Sequence, residues 1–347
     1  VRRGPAAALV ALAGCATPIG FVGTEGPPES PASSLPSTPV EVDLDTTDAP
    51  TVDTDGVLGD PSGSARALPD PADWPHGLAF DPITSRFLVT TLTTGRVLAF
   101  LADGTVQVLH DAGPAWSLWG IDADPGRRRL YVCAQYVGGG IDSWHFWHLD
   151  LDTGARLAEA DLSDVGADAA CRDVAVAPDG LVWMTDRTGD QLYRYTPITT
   201  RLQPGAIVPA LASDTRGGHG LDITPDGRFA LVARGIPAAI VRVDLRDAAY
   251  NGEVLLSGDL GLAGGRGLQG ASLADGALWV AAQGVWLQIT PDDPDWQTAT
   301  VRSQTSVIED LSDLVPAGGS LWGLSGDPFA WDLGVAADLP FELGPLD

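Results

Sequence analysis

From residue 69 onward the chain is a succession of short runs in which apolar and polar positions alternate, each ended by Pro, Asp or Gly. The clearest copy is His219-Gly220-Leu221-Asp222-Ile223-Thr224-Pro225-Asp226-Gly227, which leads into Arg228-Phe229-Ala230-Leu231-Val232-Ala233-Arg234. A period of two predicts a strand, a Pro-Asp-Gly turn and a second strand. The same phrase recurs at residues 76–90, 120–132, 173–183, 270–280 and 314–322; with Gly77, Gly120, Asp173, Gly220, Gly270 and Ser312 as markers, the steps are 42 to 53 residues. Two further strand-like runs follow it in the clearest units, at residues 96–100 and 105–109 and again at 240–244 and 253–256. Asp-Gly turns between such runs are hairpin signals. No stretch sustains a capped helical period.

Four strands per unit and six units predict an all-β six-bladed β-propeller of four-stranded antiparallel blades over residues 69–347. The last unit is short of strands, so ring closure is expected to use residues near 64–68 or 339–343. Trp183, Trp279 and Trp322 recur at one place in three units, where a large ring would fill the wedge between blades. In Trp144-His145-Phe146-Trp147-His148, alternation sends the two histidines to opposite faces, which argues against a shared zinc ion and for a packed outer strand.

Composition adds location and exclusions. The chain carries 46 acidic and 20 basic residues, a formal charge of −26, and every basic residue is Arg. Lysine Schiff bases and a Walker-type phosphate loop are excluded, and nucleic acid is a poor partner. Residues 1–14 read as a lipoprotein signal peptide: Arg2 and Arg3, a short apolar run, then Leu12-Ala13-Gly14-Cys15, which is similar to the bacterial lipobox. That likeness implies lipidation of Cys15 and a place in the bacterial cell envelope, periplasmic or surface-exposed, with the lipid anchor as the membrane contact. Residues 15–68 read as an acidic Pro/Ser/Thr/Asp-rich linker without the apolar surface to offset ordering. Its Asp43, Asp45, Asp48, Asp53 and Asp55 lack the spacing and closing Glu of a calcium loop. Cys133 and Cys171 fall where neighbouring blades meet on one rim, either bridged or as two buried thiols.

His76-Gly77-Leu78-Ala79-Phe80-Asp81-Pro82 and residues 173–183 and 219–227 together resemble the gluconolactonase, senescence-marker-protein and strictosidine-synthase-like propellers. The resemblance spans residues 74–326 and implies a divalent metal held in the central channel by Glu, two Asn and Asp. Carried over by motif, those four positions are His76, Arg172, His219 and Arg234. Guanidinium groups repel a cation, and calcium wants oxygen ligands, so calcium-dependent lactonase chemistry is not expected here.

Counting six residues back from each turn proline gives His76, Trp119, Arg172, His219 and Asp310, with Gln269 in the unit that lacks the proline. These should ring one mouth of the channel, with Asp186, Arg187, Arg234 and Gln283 just outside. One reading is a binding site for a small anionic ligand or a protein partner, with Arg172 and Arg234 as fork-like donors and Trp119 as a stacking wall. The competing reading is a plug in which Arg172, Asp173, Asp186 and Asp310 satisfy one another. The binding function needs no cofactor. The enzymatic alternative is a hydrolase or lyase opening a cyclic ester with His76 and His219 as base and acid, or with a divalent metal such as calcium. Gly-X-Ser-X-Gly is absent, which argues against a nucleophile-elbow serine hydrolase.

Overall fold

The computed structural model describes residues 65–70, 72–140, 142–211, 218–247, 251–258, 260, 262, 267–282, 284–308, 310–326 and 341–346. The signal peptide with Cys15, nearly all of the linker, and Gln283 lie outside them.

Among the described residues the alternating runs form 25 strands in six sheets arranged as blades. A two-residue strand, β1 (Arg66–Ala67), comes first. Blade 1 is β2 (Pro75–Asp81), β3 (Arg86–Thr91), β4 (Arg96–Phe100) and β5 (Val106–Asp111). Blade 2 is β6 (Trp116–Asp124), β7 (Arg129–Tyr136), β8 (Ser143–Asp150) and β9 (Arg156–Asp161). Blade 3 is β10 (Cys171–Val176), β11 (Val182–Asp186), β12 (Gln191–Thr196) and β13 (Arg201–Ile207). Blade 4 is β14 (Gly218–Ile223), β15 (Phe229–Arg234), β16 (Ala239–Asp244) and β17 (Asn251–Glu253).

Blade 5 departs from the four-strand rule. Strand β18 (Leu255–Ser257) leaves blade 4 and pairs in parallel with β22 (Thr298–Thr305), outside β21 (Val285–Pro291), β20 (Ala277–Ala282) and β19 (Leu268–Ala274). The run read as one strand at 253–256 is therefore split between two blades. Blade 6 is β23 (Leu311–Ala317), β24 (Ser320–Ser325) and β25 (Glu342–Pro345), completed by β1, with Arg66 opposite Leu343. Both stretches expected to close the ring contribute to it.

Apolar residues gather into clusters at each junction between consecutive blades. Ala79, Leu88, Leu130 and Trp147 join blades 1 and 2, while Phe87, Trp322 and Leu343 join blades 6 and 1. The repeated tryptophans do the wedge-filling work expected of them: Trp183 packs with Leu221 and Val232 of blade 4, and Trp322 lies 4.7 Å from the Phe87 ring. Cys133 of β7 and Cys171 of β10 are joined in a disulfide, their Cα atoms 5.4 Å apart, which links blades 2 and 3 covalently.

A candidate site at the channel mouth

The innermost strand of every blade carries a register shift at one point: between Pro75 and Leu78, Leu118 and Ile121, Cys171 and Val174, Gly218 and Gly220, Leu268 and Ala271, and Leu311 and Asp313. A bulge re-aims the side chain it carries. Here it acts on the ring of residues picked out by the proline count. His76, Arg172, His219 and Gln269 border one small cavity of about 10 Å³, together with Asp173, Ser312 and Asp313. That volume suits one water molecule or one polar group of a ligand.

Inside this cavity His219 Nδ1 lies 3.1 Å from Gln269 Oε1. Gly235 makes room for the same imidazole, since a Cβ there would stand 2.8 Å from His219 Nε2. Ser312 Oγ donates to Leu324 O at 3.0 Å. His76 Nδ1 and Nε2 and Gln269 Nε2 are buried and make no hydrogen bond. His76 is held neutral well below the usual imidazole range, first by burial and then by Arg172, His219 and Arg187.

Several expected site residues have other roles. Trp119 is no stacking wall for a ligand: it is 1% exposed, and the Arg172 and Arg187 guanidinium carbons sit 4.7 and 4.6 Å from its ring centre. Its Nε1 donates to Gln135 Oε1 at 3.1 Å. Arg234 does not face the mouth. It donates from Nε to Pro237 O (2.8 Å) and from Nη1 to Ala210 O and Glu253 Oε1 (2.6 Å each). Asp186 shapes the turn after β11, accepting from Tyr193 Oη (2.7 Å) and Thr188 N (2.9 Å). Asp310 is not part of the cavity, where Ser312 and Asp313 stand instead. Pro316 lies inside β23, paired with Leu321, so counting from it in blade 6 overshoots by one pleat.

Of the carboxylates below the mouth the sequence reading named Asp173 and missed Asp122, Asp222 and Asp313. All four line a second cavity of about 100 Å³, which shares Asp173 and Asp313 with the first. Each accepts a backbone N–H from the next blade: Val176 N to Asp122 (2.8 Å), Leu221 N to Asp173 (2.8 Å), Leu273 N to Asp222 (2.6 Å) and Leu78 N to Asp313 (2.7 Å). Burial raises all four pKa values. Asp222 reaches about 6 and Asp313 about 7, while Asp122 and Asp173 stand well above the carboxylate range, pushed further by Asp222 and Asp313 respectively. The signal for them was present as Asp at the second or fourth place of the inner-strand phrase.

At the four positions that the sequence resemblance implies as metal ligands, the side chains do not suit a hard divalent cation. Arg172 borders the cavity with its guanidinium carbon over the Trp119 ring, and Arg234 is engaged elsewhere. Among the described residues no group of three or more His, Cys, Asp or Glu side chains is arranged to hold a metal ion.

No family model and no curated protein sequence matches the chain. Solved structures do match. The allergen Mala s 1 of Malassezia sympodialis aligns at a TM-score of 0.66 and 14% identity, covering 82% of this chain and 96% of that one. A gluconolactonase from Xanthomonas campestris aligns at 0.56 and 21%, covering 82% and 89%. Virginiamycin B lyase from Staphylococcus aureus aligns at 0.54 and 12%, covering 81% and 97%. At these identities the likeness establishes the shared six-bladed fold.

Proposed function

We propose that this chain is an exported, lipid-anchored β-propeller that binds a small ligand by taking one of its polar groups, a carboxylate or hydroxyl, into the channel mouth. The observation that carries this reading is a trio of buried atoms, His76 Nδ1, His76 Nε2 and Gln269 Nε2, which make no hydrogen bond and belong to two residues that border a cavity. A buried polar atom left without a partner costs about 1–3 kcal/mol, which a fitting ligand group recovers. Arg172 borders the same cavity and favours an anionic group. The disulfide supports export, because such bridges persist in oxidising compartments. Envelope location and lipidation of Cys15 rest on the lipobox-like Leu12-Ala13-Gly14-Cys15; a lipid-mass adduct on the N-terminal peptide, absent in Cys15→Ser, is the expected result.

The test of the pocket is thermal stabilisation by a panel of small carboxylates, sugar acids and neutral sugars. Binding at 100 times Kd should add about 2.7 kcal/mol. The effect should disappear in Arg172→Ala and Gln269→Ala. If no compound of the panel moves the melting temperature, the reading fails.

A second reading has its own support. Neutral His76 keeps a ring-nitrogen lone pair that no hydrogen bond occupies, so a hydrolase or lyase acting on a cyclic ester would use His76 as general base beside a His219 oriented by Gln269. Turnover of a cyclic ester that His76→Ala abolishes, with ligand stabilisation retained, would distinguish it.

A further inference from the structure

On the outer part of blade 2 a serine, a histidine and a glutamate stand in sequence, away from the channel cavity. Ser143 Oγ lies 3.0 Å from His145 Nε2, and His145 Nδ1 lies 2.8 Å from Glu159 Oε1, the latter off the ideal hydrogen-bond direction. Strand geometry builds the arrangement. Ser143 and His145 are two residues apart on β8, so they share a face. Glu159 of β9 is opposite Trp147, the next residue on that face. Arg156 Nη1 holds the far oxygen of Glu159 at 3.0 Å. The His145 and Glu159 side chains are 16% and 34% exposed, open enough for a substrate yet partly shielded.

The surroundings fit an acyl group. The Trp116 ring is edge-on to His145 at 5.1 Å and to Tyr136 at 5.1 Å, and Val137 is 44% exposed beside them. Tyr136 pairs with Ser143 across β7 and β8, and Gly138–Gly140 form part of the corner between them. Gly139 and Gly140 have φ of 66° and 76°, and a Cβ on either would meet nothing within 4 Å, so bare backbone lies in the connection leading to the serine.

We propose that Ser143, His145 and Glu159 form an esterase site for small apolar or aromatic acyl esters. Ser143 Oγ attacks the ester carbonyl carbon and passes its proton to His145 Nε2, while the carbonyl π pair moves onto oxygen. Collapse of the tetrahedral adduct breaks the bond to the alcohol, which leaves with the proton from His145. Water then repeats the sequence and frees the acid. Ser143 and His145 are the catalytic residues; Glu159 is a positioning residue for the imidazole. No nucleophile elbow is involved, since one strand and its neighbour supply the geometry.

The test treats the full chain with an alkyl fluorophosphonate, which an activated serine displaces at phosphorus with loss of fluoride, and follows p-nitrophenyl butyrate in parallel. The chain has no lysine, so lysine acylation adds no background to the ester assay. The expected result is one phosphonyl adduct on Ser143, absent in Ser143→Ala and formed about 100-fold more slowly in His145→Gln. Glu159→Gln should slow it roughly tenfold and lower kcat for the ester with KM unchanged, because the imidazole loses the carboxylate that orients it, and Glu159→Asp should restore part of the rate. Melting temperatures taken alongside separate these effects from unfolding. No adduct on the wild-type chain, an adduct on another residue, or an unchanged rate in His145→Gln overturns the proposal; an unchanged kcat in Glu159→Gln removes Glu159 from it.

Discussion

Arg234 ties its own turn, through Pro237 O three residues on, to two more distant segments through Ala210 O and the Glu253 carboxylate. It is 8% exposed, so truncation strands two carbonyls and leaves a hole. Arg234→Ala should cost about 2 kcal/mol in urea unfolding and leave ligand stabilisation intact. Equal loss of ligand response in Arg172→Ala and Arg234→Ala would contradict this division. The two arginines show how far the sequence could be read. Their places at the start of a first strand and the end of a second were legible from the repeat. The direction of the Arg234 side chain was not, because it depends on carbonyls supplied by residues 210 and 237. His76, Arg172 and His219 were found because the bulged position recurs at a fixed offset from the turn proline, and Gln269 from its place in the repeat, since its unit lacks that proline. Asp313 was missed because Pro316 stands inside its strand.

At the level of elements, the inner strands are pinned at the channel by carboxylates that bond the neighbouring blade. This explains the glycine that follows the first residue of the phrase. A Cβ on Gly120 would overlap the Asp173 carboxylate, and one on Gly270 would overlap that of Asp313. Gly270→Ala should therefore destabilise the fold by roughly 1–3 kcal/mol, seen as a lower urea midpoint, whereas alanine at Gly104, an exposed turn with open space around it, should cost only its φ of 89°. Period-two patterning revealed the strands and their number. It could not reveal that β18 crosses to blade 5, because pairing partners are chosen by tertiary contact and leave no local period. The disulfide acts at this scale too. It closes a span of 38 residues between β7 and β10, and Cys133→Ser with Cys171→Ser should lower stability by about 2–4 kcal/mol. A melting temperature indifferent to both the double variant and reductant would contradict it.

For the whole molecule, the four channel carboxylates give stability a definite pH dependence. Their folded pKa values exceed the unfolded value of about 4, so the native state binds more protons. That contribution is complete below about pH 4 and is lost as pH rises through about 6 for Asp222 and about 7 for Asp313. His76 and His148, held neutral by burial, act the other way below about pH 6.5. Asp313→Asn removes the titration while its amide oxygen still accepts from Leu78; the bond from Leu314 N is lost at every pH and so does not alter the shape of the profile. Between about pH 8 and 5 the wild-type protein should gain stability relative to this variant, measured by urea midpoints; parallel profiles would refute the assignment.

Closure of the ring has a further consequence. Strands β1 and β25 lie side by side, so the order in which the chain visits the blades is a matter of connectivity and not of lateral contact. The disc has a seam in its covalent path but none in its sheets. Joining the chain after β25 to the chain before β1 and reopening it at the Asp103-Gly104 turn would move that seam by one blade while preserving every strand neighbour. A permuted chain of this kind should refold to the same disc, with its new ends on the rim of blade 1.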